Sequence, residues 1–218
     1  MQGRSINQKS IDEIAQALSD GQIVVLPTEA GYCFAGLAQR KSSHTKLWEL
    51  RSAHPKTKPF SLLCLNAKSA SEVARVSTPA FRVMNRLLPG PFTLILPVNR
   101  DTPNYSTGAH KNTIGIRVSA HPIAQKVLEA VNAALVVTSV TDADELAEEG
   151  YTEEDYNSQL ERWWTTPEGI DAHTNGKIAM IIGQQEPLPM RHSTIIDLSS
   201  EDSPKVLRDG GWPLEGLT

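Results

Sequence analysis

Short apolar runs rich in β-branched residues set the tightest limit on what this chain can fold into. QIVVL (22–26), GYCFAGLA (31–38), FSLLCL (60–65), FTLILPV (92–98), TIGIRVS (113–119) and ALVVTSV (134–140) each have the length and composition of a buried strand. IAMIIG (178–183), STIIDLS (193–199) and KVLRDGG (205–211) close the series. Amphipathic segments separate some of these runs, which calls for helices packed on a sheet. Others follow one another with only a turn between them. A purely parallel sheet needs a long crossover after every strand, so the pattern predicts an α/β protein with a mixed parallel and antiparallel sheet.

Helix boundaries are read from capping chemistry. Ser10 and Glu13 form a capping box before Ile14, Ala17 and Leu18, and Gly21 ends that helix. Ser43 opens a second helix with Leu47 and Leu50 on its inner face. Ser69 and Glu72 form another box. Thr78-Pro79 starts a helix that carries Phe81, Met84 and Leu88 and stops at LPGP. A further helix is expected over 121–132. Residues 142–175 differ: DADELAEEGYTEEDY is acidic and QLERWW amphipathic, so a peripheral, partly helical insert is expected there. One domain spanning 8–212 accommodates the rest.

Composition removes several classes of function. A net charge of -4 gives no overall basic signature, which argues against a dedicated nucleic-acid binder. Cys33 and Cys64 sit in separate apolar runs without metal-ligand spacing and read as buried thiols in a reducing compartment. There is no 18-residue apolar run and no N-terminal apolar leader, so a cytoplasmic protein without membrane contact is expected. Neither a P-loop nor Gly-x-Gly-x-x-Gly occurs. Any phosphate must therefore be held by scattered cations and hydroxyls.

Such groups stand at the ends of the apolar runs. They are Thr28, Glu29 and Tyr32 after the first strand, the cluster from Arg51 to Ser61 with Lys56 and Lys58, Arg117, Thr138 and Ser139, Ser193 and Thr194, and Arg208. Arginine and lysine supply charge for phosphate oxygens, arginine in a forked geometry, and the hydroxyls donate to phosphate or to a small zwitterion. His54, His121 and His192 read as surface or capping histidines. These residues alone describe an anion-binding α/β protein.

The order of the segments is identified with one family. LPTEAGY is similar to the Pro-Thr-Asp-Thr-x-Tyr-Gly-Leu motif of the threonylcarbamoyl-AMP synthase superfamily, the YrdC/YciO-like proteins. LWELRSAHPKTKPFSLL resembles its Lys-x-Arg segment with the following Lys-Pro-Leu strand. LLPGPFTLIL resembles its Pro-Gly-Pro-x-Thr turn, and TIGIRVSAHPIAQKVLE its Gly-x-Arg strand and helix. ALVVTSV resembles Thr-Ser-Ala-Asn, STIIDLS resembles Ser-Thr-Val-Val-Asp, and VLRDGG the Arg-x-Gly ending. The resemblance covers residues 8–212 apart from the acidic insert, and implies a YrdC-like fold with a concave pocket.

It also implies a reaction. L-threonine, bicarbonate and ATP would give threonylcarbamoyl-adenylate and pyrophosphate, with Mg²⁺ carried on the triphosphate and the product used to modify an adenosine of certain tRNAs. Thr28, Tyr32 and Arg117 would hold threonine or its carbamate. Arg51, Lys58, Thr138, Ser139, Ser193, Thr194 and Arg208 would line the ATP side. No side chain would act covalently; positioning and charge neutralisation would carry the step. Three departures matter. Ala30 replaces the second motif threonine, Arg51 replaces the lysine of Lys-x-Arg with Ala53-His54 where the arginine is expected, and Thr141 replaces the asparagine of Thr-Ser-Ala-Asn. They make the chain resemble the YciO-type branch and predict a slow synthase or a shifted substrate. Two rivals follow: a non-catalytic protein binding double-stranded RNA or nucleotide on the same fold, and a carbamoyl-transferring or adenylating enzyme for another amine. Nothing in the sequence sets the oligomeric state.

Overall fold

The computed structural model describes residues 8–51, 59–100, 102, 112–141, 150, 152, 154, 162–183, 188, 191–200 and 203–214. Helix α1 (Gln8–Ser19) leads into β1 (Val24–Thr28), and β2 (Gly31–Leu37) returns antiparallel to it. The rest of the chain then supplies α2 (Lys41–Leu50), β3 (Ser61–Leu63), α3 (Ala67–Val73), α4 (Thr78–Leu87), β4 (Phe92–Pro97) and β5 (Thr113–Arg117). After these come α5 (Pro122–Val131), β6 (Leu135–Ser139), α6 (Pro167–Thr174), β7 (Met180–Ile181), β8 (Thr194–Asp197) and β9 (Lys205–Arg208).

The strands form one nine-stranded sheet in the order β7-β1-β2-β6-β3-β5-β4-β8-β9. Three pairings are parallel, β1 with β7, β3 with β5 and β4 with β8, and the others are antiparallel. This is the mixed α/β sheet that the spacing of the runs predicts. Pro27 lies inside β1, where a missing N–H would normally break the ladder. Here β7 pairs only Val24 and Val25, so no neighbour on that side asks Pro27 for a donor.

Alternation along the strands sorts side chains into two layers. On one face, α2, α3, α4 and α6 pack over Val25, Tyr32, Phe34, Leu62, Leu94, Ile116, Val136 and Ile196. On the other, α1 and α5 cover Val24, Leu26, Cys33, Ala35, Leu63, Leu135 and Val137. That second core draws on β1, β2, β3 and β6 but on no described residue of β4, β5, β8 or β9. Among the described residues, half of one face thus has no apolar cover, and the candidate site is built there.

Several boundaries differ from the sequence expectation. The first helix already runs from Gln8, so Ser10 is inside it and does not cap it. Helix α2 begins at Lys41, and Ser43 is a buried residue of its inner face. The capping box of α3 is Asn66 with Ser69, not Ser69 with Glu72: Asn66 Oδ1 accepts the Ser69 N–H at 3.0 Å, and Ser69 Oγ accepts the Asn66 N–H at 3.1 Å. Ser77, one residue earlier than expected, caps α4, and Phe81 on that helix is 48% exposed and not in the core.

Most of the expected acidic insert lies outside the described residues. Its C-terminal end is not peripheral: Trp164 and Ile170 are fully buried in the core under α2–α4. The acidic run that suggested a solvated element ends before the two tryptophans, whose apolar area is worth about 25 cal/mol for each Å² removed from water.

Candidate functional site

Thr28 and Gly31 close the β1–β2 hairpin around Glu29 and Ala30, with Gly31 at φ +100°. The Thr28 hydroxyl donates to the Gly31 carbonyl at 2.7 Å and accepts the Ala30 N–H at 3.2 Å. The polar interruption after VVLP is therefore a tight turn whose hydroxyl is fixed by its own backbone. It also faces a cation, since Arg117 Nη2 donates to Thr28 Oγ1 at 3.4 Å.

That contact is not expected from register. Arg117 pairs with Leu63, Leu63 with Leu135, and Leu135 with Leu37. Leu37 is at the far end of β2 from Gly31, and β5 is four positions from β1 in the sheet. Thr28 and Arg117 thus stand at diagonal corners. They share a face by alternation, and a right-handed twist accumulated over five strands curls diagonal corners toward one another on that face. A second bond across the same gap runs from the Ser119 hydroxyl to Glu29 Oε2. Ser119 Oγ also accepts the His121 N–H at 3.1 Å, at the start of α5, where His121 Nδ1 accepts the Ile123 N–H and caps the helix.

Arg117 is only 7% exposed, yet its Nε has no hydrogen-bond partner, and Glu29 Oε1 is a buried oxygen without one. Both charges act on the Cys33 thiol, although its burial is the main reason that its pKa is pushed up to about 11. Cys64 is pushed up to about 12, again mainly by burial, and both thiols are free.

The start of β8 and the end of β9 carry a second group. Thr93 and Ser193 share a hydroxyl hydrogen bond at 2.9 Å. Arg208 donates to the Ser193 carbonyl from Nε at 3.1 Å and from Nη2 at 3.0 Å, and Nη2 also donates to Ser193 Oγ at 3.1 Å. Phe92, one residue before Thr93, pairs with Thr194, and Leu94 pairs with Ile116, so this group borders the end of β5 that carries Arg117. The Arg191 N–H donates to the Ala30 carbonyl at 3.3 Å and ties the approach to β8 onto the hairpin turn.

Alternation decides which expected residues belong together. Thr28, Ser139, Arg117, Ser193 and Arg208 fall on the half-uncovered face, with Ser139 paired to Cys33 and Arg208 to Ile195. Tyr32, Thr138 and Thr194 turn to the opposite face: Tyr32 is part of the core with Phe34, and Thr194 Oγ1 accepts the Gly210 N–H at 3.0 Å. Arg51 is 8% exposed, with its guanidinium 5.5 Å from the Trp48 ring centre and 5.4 Å from that of Phe60. Lys58, with His54 and Lys56, lies outside the described residues.

Ser61, the end of the expected Arg51–Ser61 cluster, stands on the site face, and so do Thr93 and Ser119, which were not singled out from sequence. The signal was a single hydroxyl at an alternating position of an apolar run, in FTLIL and in IRVS. A separate pocket of about 140 Å³, lined by Ala38, Leu62, Leu65, Glu72, Leu128 and Asn132 among others, has no cation among its described lining residues. Among the described residues no helix is long and apolar enough to cross a membrane.

The Sua5/YciO/YrdC family model, described as telomere recombination, matches residues 16–210. YciO of Escherichia coli (strain K12) is 29% identical over 203 residues, covering 93% of this chain and 90% of that protein. The crystal structure of E. coli YciO matches with a TM-score of 0.80 at 25% identity, over 99% of this chain and 96% of that one. A threonylcarbamoyl-AMP synthase of Pyrococcus abyssi is 27% identical over 221 residues, 97% of this chain and 57% of that protein. The crystal structure of P. abyssi Sua5 complexed with L-threonine matches with a TM-score of 0.79 at 26% identity, over 97% of this chain and 57% of that one.

Proposed function

The chain belongs to the Sua5/YciO/YrdC family, and from that premise we propose that it is a threonylcarbamoyl-AMP synthase-like nucleotidyltransferase. It joins L-threonine, bicarbonate and ATP into threonylcarbamoyl-adenylate and releases pyrophosphate, in support of tRNA modification. One observation carries the reading: the Arg117 guanidinium is buried, incompletely bonded and next to the Thr28 hydroxyl. A buried cation in that state calls for an anion, and a carboxylate or carbamate fits it with forked geometry. Two relatives support the choice of substrate, the P. abyssi synthase and the P. abyssi structure with bound L-threonine.

Arg117 holds the carboxylate or carbamate end, and the Thr28 hydroxyl lies beside it. Ser139, Ser193 and Arg208, with Thr93, form the phosphate side of the same face. Mg²⁺ enters on the triphosphate. Tyr32 shapes the hairpin from the opposite layer. Arg51, the C-cap residue of α2, lies at cation–π distance from the Trp48 and Phe60 rings, which belong to the opposite core, so its charge is not assigned to the Arg117 face. The chemistry asked of the protein is to hold the carbamate oxygen in line with the α-phosphate and neutralise charge there.

The test is pyrophosphate release from ATP and bicarbonate, with and without L-threonine, with mass detection of the adenylate. Threonine-dependent release is expected. Arg117→Ala should lower it by one to two decades, the equivalent of one charge-assisted contact of about 1.5–3 kcal/mol. ATP or RNA binding without any release would replace this reading with the binding-protein one.

A further inference from the structure

Residues 210–212, just past β9, fold back onto the approach to β8. The Trp212 indole N–H donates to the His192 carbonyl at 2.7 Å. The Arg191 guanidinium lies 4.4 Å from the centre of the Trp212 ring, at cation–π distance, and its Nη2 donates to the Gly211 carbonyl at 3.1 Å. The Gly210 N–H donates to Thr194 Oγ1 at 3.0 Å. A Cβ at Gly210 would stand 2.2 Å from the His192 carbonyl oxygen, so the two backbones touch and only glycine fits there. Residues 191–194 are thus clamped by 210–212.

The clamped segment also reaches the site. The Arg191 N–H donates to the Ala30 carbonyl at 3.3 Å, and the Ala30 N–H donates to Thr28 Oγ1 at 3.2 Å. Ala30 is therefore held at both its carbonyl and its amide. Thr28 Oγ1 in turn accepts from Arg117 Nη2. Two residues after Arg191, Ser193 bonds Thr93 and Arg208. One short segment thus touches the hairpin turn and the phosphate side together. At 3.3 Å the Arg191–Ala30 bond is long for N–H···O, and it holds the turn only while Arg191 is itself held in place.

Resting on the reading above, we infer that Trp212 is a positioning residue for the site: by clamping Arg191 and His192 it fixes the Ala30 peptide, and through it the Thr28 hydroxyl beside Arg117. It acts through the Arg191–Ala30 bond and not by contact with substrate. Ring and indole N–H have separate tasks, the ring on the Arg191 guanidinium and the N–H on the His192 carbonyl. A side chain locked by its own packing and hydrogen bonds is what holds a binding hydroxyl to a fixed geometry.

Amide hydrogen exchange of the full chain, without ligand, tests this in Trp212→Ala and Trp212→Phe. In Trp212→Ala, exchange at the Arg191 and Ala30 amides should speed up by about tenfold, the order of one hydrogen bond. The Cys64 amide, which donates to the Arg117 carbonyl on the other wall, should keep its wild-type rate. Trp212→Phe keeps a ring for Arg191 and loses only the indole bond, so it should fall between. Calorimetry well below the Tm should show L-threonine binding weakened by about tenfold in Trp212→Ala and by less in Trp212→Phe. A role confined to folding would lower the Tm and leave both the two exchange rates and the threonine affinity unchanged, which overturns the assignment. Faster exchange at Arg191 and Ala30 with unchanged threonine affinity overturns it too. A wild type that binds no threonine would remove the synthase reading, while the exchange rates would still uphold or refute the clamp, so the two fail separately.

Discussion

His44 lies under the Phe60 ring, its Nε2–H donating to the Ala38 carbonyl at 2.9 Å, and it is 3% exposed. Burial lowers its pKa, and the bond to Ala38 raises it by less. In the unfolded chain histidine titrates near 6.5, so below about pH 6.5 the unfolded state carries a proton that native His44 resists. Stability must therefore fall as pH drops from about 6.5 toward the lowered native value, with a slope of at most about 1.4 kcal/mol per pH unit from this one group. Chemical denaturation at pH 7.5 and pH 5.5 should reveal the loss. In His44→Asn, which cannot titrate, the difference between the two pH values should shrink, and an unchanged difference would assign it to other groups. The capping role expected for His121 is met by its Nδ1, and that role followed from its place before Pro122 and Ile123. A cap depends on local sequence, whereas the burial of His44 depends on Phe60, which the sequence places sixteen residues away.

The β1–β2 hairpin presents Thr28 and Glu29 to the site. It turns through Gly31 at φ +100°, a region that a side chain enters at a cost of about 1–3 kcal/mol. The Gly31 carbonyl is also the acceptor that orients the Thr28 hydroxyl. Gly31→Ala should therefore destabilise the fold by about 1–3 kcal/mol and weaken threonine binding as well, because the turn cannot relax without rotating that carbonyl. Denaturation midpoints and calorimetry would check the pair of effects, and a stability loss with intact binding would show that the turn geometry is not what holds Thr28. All nine strands fall within the expected segments or one to two residues beyond them; those before β9 were readable as compact apolar runs, whereas β9, KVLR, is exposed throughout. The helix starts were less so. Ser10 and Ser69 had the spacing of a capping box, but α1 already begins at Gln8 and Asn66 won the N-cap position of α3. Hydroxyl residues inside a first turn look the same in sequence as those just before it.

At larger range the sequence could name polar strand ends but not their neighbours. Thr28, Arg117, Ser193 and Arg208 were found as residue types, and alternation then kept them on one face while turning Tyr32, Thr138 and Thr194 away. What joins Thr28 to Arg117 is neither motif nor register but the curl of a sheet that has β2, β6 and β3 between them. The site therefore has two walls, the hairpin on one side and the β5–α5 junction on the other, held by the Thr28–Arg117 and Glu29–Ser119 bonds. A ligand that bridges them fixes the curl itself, since its ordering effect reaches both ends of the diagonal. Any ligand stabilises what it binds, by about 2.7 kcal/mol at a hundred times its Kd, so a rise in Tm alone would not separate a bridging ligand from one seated on a single wall. Hydrogen exchange would. Saturating L-threonine should slow exchange at the Ala30 and Gly31 amides and, in the same sample, at Val118 and Ser119 on the opposite corner. In Arg117→Ala, with threonine raised to saturation, protection of the hairpin should persist while that of Val118 and Ser119 is lost. Protection limited to the hairpin already in the wild type would mean that the ligand spans one wall, and that the diagonal contact belongs to the fold and not to recognition.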